Sequence, residues 1–167
     1  CRPVSGAATP SVGAILRSRA TKQPKMHVVD SGLAARLTRS TEERLVTLDP
    51  TSLSEFGHLL ETFVVGELRN QISWLPFPVT VGHWRTFDGN EVDLVAEHDD
   101  GRVIAFEVKA SQRISGKDVN GLRKLRDALG SRCVAGVAFS TGGRSYSFED
   151  RPSVLSVERL WMPIPMA

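Results

Sequence analysis

Three side chains in one short stretch have the types and spacing to do chemistry on a phosphate. In NEVDLVAEHDDGRVIAFEVKAS, residues 90–111, Glu107 and Lys109 stand two apart in an apolar run, and Asp93 precedes them across the turn signal HDDG. Residues two apart on a strand share a face, so Glu107 and Lys109 project together while Ile104, Phe106 and Val108 project the other way. Opposite charges on a strand this apolar are costly unless they are paired, and Asp93 on the preceding strand brings a second carboxylate within reach. Asp93, Glu107 and the carbonyl of Val108 form a hard-oxygen donor set suited to Mg²⁺ or Mn²⁺, with water completing an octahedron. A metal there would polarise a phosphodiester and acidify water, and Lys109 would orient the nucleophile or offset developing negative charge. A bare E-x-K pair is more often a surface ion pair, so the surrounding elements decide its weight.

Those elements can be read from periodicity. After Asp49-Pro50, Ser52 and Glu55 have the spacing of a capping box, and Phe56, Leu59, Leu60, Phe63, Val64, Leu68 and Ile72 recur at helical steps until Pro76 and Pro78. From Val79 to Lys109 the period becomes two, predicting three antiparallel strands, VTVGHWRTF, EVDLVAE and RVIAFEVK. A second amphipathic helix is expected from about Asp118 to Leu129, with Leu122, Leu125 and Leu129 inward and a basic face outward. CVAGVAFS reads as a strand buried on both faces, and SVLSVERLW as a last strand or edge segment. Nearer the N-terminus, MHVVD reads as a strand that Ser31-Gly32 turns into the small helix LAARL. The order predicts an α/β fold, a mixed sheet flanked by helices.

Composition narrows the function classes. The chain has 167 residues with 41% hydrophobic content, enough for one main core. Its 21 basic and 19 acidic residues nearly cancel, so polyanion binding requires a local patch. Arg113, Lys117, Arg123 and Lys124 after the site strand are that candidate, against the default of a solvated helix face. Cys1 and Cys133 lack the number and spacing of a disulfide framework or zinc site, which fits a reducing cytoplasmic setting. His27, His58, His83 and His98 are scattered without zinc spacing, and His83 beside Trp84 is placed to line a cleft. Ser140 to Ser145, STGGRS, reads as a plain loop rather than a phosphate cradle. No apolar run approaches a membrane span. Residues 1–24 read as a flexible or partner-dependent arm and 25–167 as the folded domain, and the opening Cys1 reads as a fragment boundary.

Four phrases in order carry a resemblance: PKMHVVDSGLAARL, GHLLETFVVGEL, HWRTFDGNEVDLV and VIAFEVKAS. GNEVDLV followed by FEVKAS is similar to the signature of the PD-(D/E)XK nuclease superfamily. The whole stretch, from about Lys22 to Trp161, resembles the C-terminal domain attached to a group of prokaryotic AAA-type ATPases. The resemblance implies a restriction-endonuclease-like fold, a metal-dependent DNA phosphodiesterase activity, and a further glutamate from the first core helix. Gly57 to Glu61 matches the G-x-x-x-E phrase that carries it. Glu67 is the rival, because at about 100° per residue it falls among Phe56, Leu60 and Phe63, with Glu61 at the edge of that face. The chain has no G-x-x-x-x-G-K-[ST], so no ATP site is expected, and it resembles a remnant separated from its ATPase. The alternative is a non-catalytic module docking nucleic acid, a protein partner or a second copy, and a regulatory, antitoxin-like protein is a third.

Overall fold

Alternation and turn chemistry set the sheet. The computed structural model describes residues 30–46 and 49–162, so the expectations for the 1–24 arm and for most of MHVVD fall outside it. The first three strands, β1 (Val79–Arg85), β2 (Glu91–His98) and β3 (Val103–Lys109), form the expected antiparallel meander. β4 (Cys133–Ser140), β5 (Tyr146–Ser147) and β6 (Pro152–Ser156) complete a six-stranded sheet of order β1-β2-β3-β4-β6-β5. β3, β4 and β6 run parallel, so the sheet is mixed, and their carboxyl ends share one edge.

Helices cover both faces. Ahead of the sheet come α1 (Ser31–Thr38), α2 (Glu42–Val46) and α3 (Pro50–Ser73), and α4 (Asn120–Leu129) is the crossover between β3 and β4. Val64, Val65 and Leu68 of α3 pack with Leu94, Val108 and Phe139. On the other face, Leu122, Leu125 and Leu129 of α4 pack with Val95, Val103, Ala105 and Ala138. Each such buried aliphatic side chain contributes about 1.5–3 kcal/mol, so the two layers hold the sheet between them.

Three sequence expectations change in detail. Asp49, not Ser52, caps α3: its carboxylate accepts from the Ser52 N–H at 3.1 Å, and Pro50 opens the first turn, where its missing N–H costs nothing. Asp30 likewise caps α1 by accepting from the Leu33 N–H, so Ser31 and Gly32 lie inside that helix. Of the two readings of SVLSVERLW, the last strand holds and the edge does not: β6 is interior, because Tyr146 and Ser147, just past the expected plain loop of residues 140–145, form the edge strand β5. A two-residue strand is too short to leave a period in the sequence.

Candidate functional site

The chemistry-bearing residues collect where β2 parts from β3. The β2–β3 register runs from Glu97↔Val103 to Leu94↔Phe106, and the next step would set Asp93 against Glu107. On the other side of β2, Gly82 pairs Val95 but Trp84 pairs Val92, so His83 alone faces both Asp93 and Leu94. A bulge of this kind bends its strand and re-aims a side chain. Here the Asp93 carboxylate turns to β3 and accepts the Val108 backbone N–H at 2.8 Å.

Glu107 and Lys109 leave β3 on one face, as their spacing requires. Lys109 Nζ lies 2.7 Å from Glu107 Oε1; the glutamate side chain is 5% exposed and the lysine 33%. Burial alone would lower the Lys109 ammonium, but the charge and hydrogen bond of Glu107, with Asp93 and Asp118 adding theirs, raise it above the ordinary lysine range. The lysine is therefore firmly cationic. Asp118 belongs to this group and was not singled out from the sequence. Burial pushes its carboxyl up, while hydrogen bonds from the Ser115 hydroxyl and N–H and the charge of Lys109 bring it below the usual range. The signal was present as Ser115-x-x-Asp118, which reads most simply as local turn chemistry.

The helix acids are placed differently from the helical-wheel expectation. The buried side of α3 carries Val64, Val65 and Leu68, while Phe63 is exposed and Phe56 half-buried. Glu61 precedes Val64 and Val65 by three and four residues, so it lies within the buried side, and Glu67 lies on its flank. A Cβ on Gly57, one turn before Glu61, would touch Ala110 just beyond β3. Glu61 thus faces the sheet near the end of β3 from the α3 side, whereas Glu107 shares the pleat of Val103 and Ala105, toward α4.

Two loops extend the site edge. Lys109 is registered with Ser140 on β4, and beyond them Thr141 donates its N–H to the Ser111 carbonyl at 3.1 Å. Gly142 lies so close to the Gln112 carbonyl that no side chain would fit. Arg113, Lys117 and Arg144 are exposed on these joined loops. Arg123 and Lys124 are instead engaged within the protein: Arg123 reaches Glu149 at 2.6 Å and the Gly116 carbonyl, and Lys124 reaches Asp88 at 2.6 Å.

Among the described residues no three His, Cys, Asp or Glu side chains converge as a metal cluster. Those that could hold a hard cation are Asp93 on β2 and Glu107 on β3, with the backbone of Val108 next to Glu107. A cavity of about 610 Å³ lined by Leu68, Phe77, His98, Ile104 and Val134 lies toward the opposite end of the sheet, away from these groups. Among the described residues no helix is long and apolar enough to cross a membrane.

Residues 56–160, from within α3 to the short turn after β6, match the family described as a domain of unknown function, DUF4143. The chain belongs to this family. DUF4143 is found in AAA-ATPase-associated proteins, and its matched span contains Glu61, Asp93, Glu107, Lys109 and Asp118. No curated protein and no solved structure matches the chain.

Proposed function

We propose that this DUF4143 domain is a divalent-metal-dependent DNA phosphodiesterase of PD-(D/E)XK type, with Asp93, Glu107 and Lys109 as its reactive group. The observation that carries the reading is the Glu107–Lys109 pair, its glutamate buried and its lysine half-buried, at the carboxyl edge of the parallel strands with Asp93 beside it. Ligands of open α/β sheets bind at that edge. The donor set fits Mg²⁺ or Mn²⁺, since such ions are usually held by one or two carboxylates with water and substrate phosphate filling the other positions. Asp93, Glu107 and the Val108 carbonyl would hold such an ion, which when bound would supply charge neutralisation at the phosphate and a more acidic water.

The protein's own groups do the rest. Glu107 fixes the Lys109 ammonium at 2.7 Å and keeps it protonated, so a cation waits where the phosphorane-like transition state gathers negative charge. Asp93 ties its bulge to the backbone between the two, holding both carboxylates in register. Glu61, from the α3 side, is the helix acid favoured over Glu67. Arg113, Lys117 and Arg144 on the joined loops suit a phosphate backbone better than Arg123 and Lys124, which already hold Glu149 and Asp88. Water adds to phosphorus and gives up a proton to solvent, one ester P–O bond breaks, and the departing sugar oxygen takes a proton from solvent to leave as the alcohol.

The test is Mg²⁺- or Mn²⁺-dependent cleavage of single-stranded, duplex and branched DNA by the parent, Glu107→Gln and Lys109→Ala. Each substitution is expected to lower the rate by about 100-fold or more. Absence of metal-dependent cleavage by the parent would sink the reading. DNA or protein binding without cleavage would instead support a non-catalytic docking module, the second reading.

A further inference from the structure

The β1–β2 hairpin ends in the tip Thr86-Phe87-Asp88-Gly89-Asn90, and Phe87 is 93% exposed, the most exposed of the described large hydrophobic residues. Single exposed apolar residues are ordinary on protein surfaces. This one is held in place. Thr86 N–H donates to the Asn90 carbonyl at 2.8 Å, Gly89 N–H to the Thr86 carbonyl at 3.2 Å, and the Asn90 amide to Asp88 at 2.9 Å. Gly89 takes φ +81°, which completes the turn without strain. Lys124 of α4 then grips Asp88 at 2.6 Å, and that contact, first among its causes, carries the Asp88 carboxyl well below the usual range. The backbone that carries the ring is thus fixed by a turn anchored to the body of the protein.

Its position matters more than its exposure. The tip lies at the end of the sheet that carries Asp93 and Lys109, since Glu91 starts β2 and Lys109 ends the antiparallel β3. Three residue steps lead from Asn90 to Asp93, about 10 Å of strand. That reach corresponds to roughly three stacked nucleotides of one strand. The exposed cations Arg113, Lys117 and Arg144 occupy the same edge. The comparably exposed Trp74 is at the other end, after α3.

We propose that Phe87 is a stacking residue for an unpaired nucleobase, so that the site prefers single-stranded DNA or duplex with melted or branched segments. The inference rests on the nuclease reading of Asp93, Glu107 and Lys109. Every base has a π-face and a duplex hides it, so an exposed aromatic ring on an anchored turn beside a phosphate-binding edge selects strands whose bases are open. Phe87 touches nothing in the core, and its replacement leaves the fold intact.

The experiment titrates a single-stranded oligodeoxynucleotide containing 2-aminopurine, and a blunt duplex of the same sequence, into the full chain carrying Glu107→Gln so that the strand is not cut. Phe87→Ala and Phe87→Trp are compared in that background. Phe87→Ala is expected to weaken single-strand binding by about 5- to 100-fold and to abolish the stacking change in 2-aminopurine fluorescence. Phe87→Trp retains both, and duplex binding moves by less than about twofold. Equal loss on both DNAs, no loss on either, or loss only of self-association in light scattering overturns the stacking role. If the otherwise unsubstituted chain still cleaves DNA in those cases, the nuclease reading stands without it. If that chain neither binds nor cuts DNA, both fall.

Discussion

Lys109 is the residue on which the site's electrostatics turn. Its ammonium is raised by Glu107, Asp93 and Asp118 against the lowering effect of burial, so the folded state holds the proton more tightly than the unfolded chain. The stability this contributes is fully present below the unfolded lysine value, about 10.4, and is lost as pH rises through the folded value. Urea unfolding of the parent and Lys109→Met at pH 8 and at pH 11.5 should therefore show a gap that narrows at the higher pH. A gap that widens would mean the pair is not as described. At pH 8, Lys109→Ala should cost about 1–3 kcal/mol, because Glu107 is left buried beside Asp93 without its cation. The sequence carried Asp93, Glu107 and Lys109 plainly, since a strand's period of two forces the pair together. It did not carry Asp118, whose role arises from the turn after β3 folding back toward that strand. Nor did it rank Glu61 over Glu67 by helix geometry. The buried side of α3 includes Gly57 and Glu61, which no apolar count would choose, while the apolar Phe63 is exposed.

Among the elements, the joined loops after β3 and β4 rest on a close approach. Gly142→Ala would drive a methyl into the Gln112 carbonyl, whereas Gly143→Ala meets nothing within 4 Å. Thermal unfolding should find the first destabilised by about 1–3 kcal/mol and the second within about 0.5 kcal/mol of the parent. Similar effects of the two would show the loops not to be packed together. At the start of α3, Asp49→Ala should cost about 1 kcal/mol and Asp49→Ser a few tenths, as expected for a cap. The misplaced capping box has a simple origin: Ser52-x-x-Glu55 has the right letters, but Asp49-Pro50 offers the same helix an earlier start with a better first turn. The meander and α4 were legible because each buries one clean stripe, and β5 was not because two residues make no stripe.

For the whole molecule, the sheet is closed by α3 on one face and α4 on the other, and β4 runs through its interior. Cys133 opens that strand; burial pushes its thiol up, against the smaller pull of Arg151 and Arg126. In a Cys1→Ser background, thiol labelling of Cys133 should be slow in water and follow the urea unfolding curve. Rapid labelling in the native state would contradict the layered core. The chain order of the sheet also has a kinetic meaning. β2 and β3 are joined by four residues, so the Asp93–Val108 contact closes a small loop, while the β3–β4 pairing must wait for α4 to cross over. Loop closure grows costlier with length, and parallel pairing is slow. The acidic hairpin should assemble before the cationic rim, with the Val108 amide protected from exchange ahead of the amides of β6. During folding, the two carboxylates of the proposed cation site would then meet before the charges that gather a strand around them.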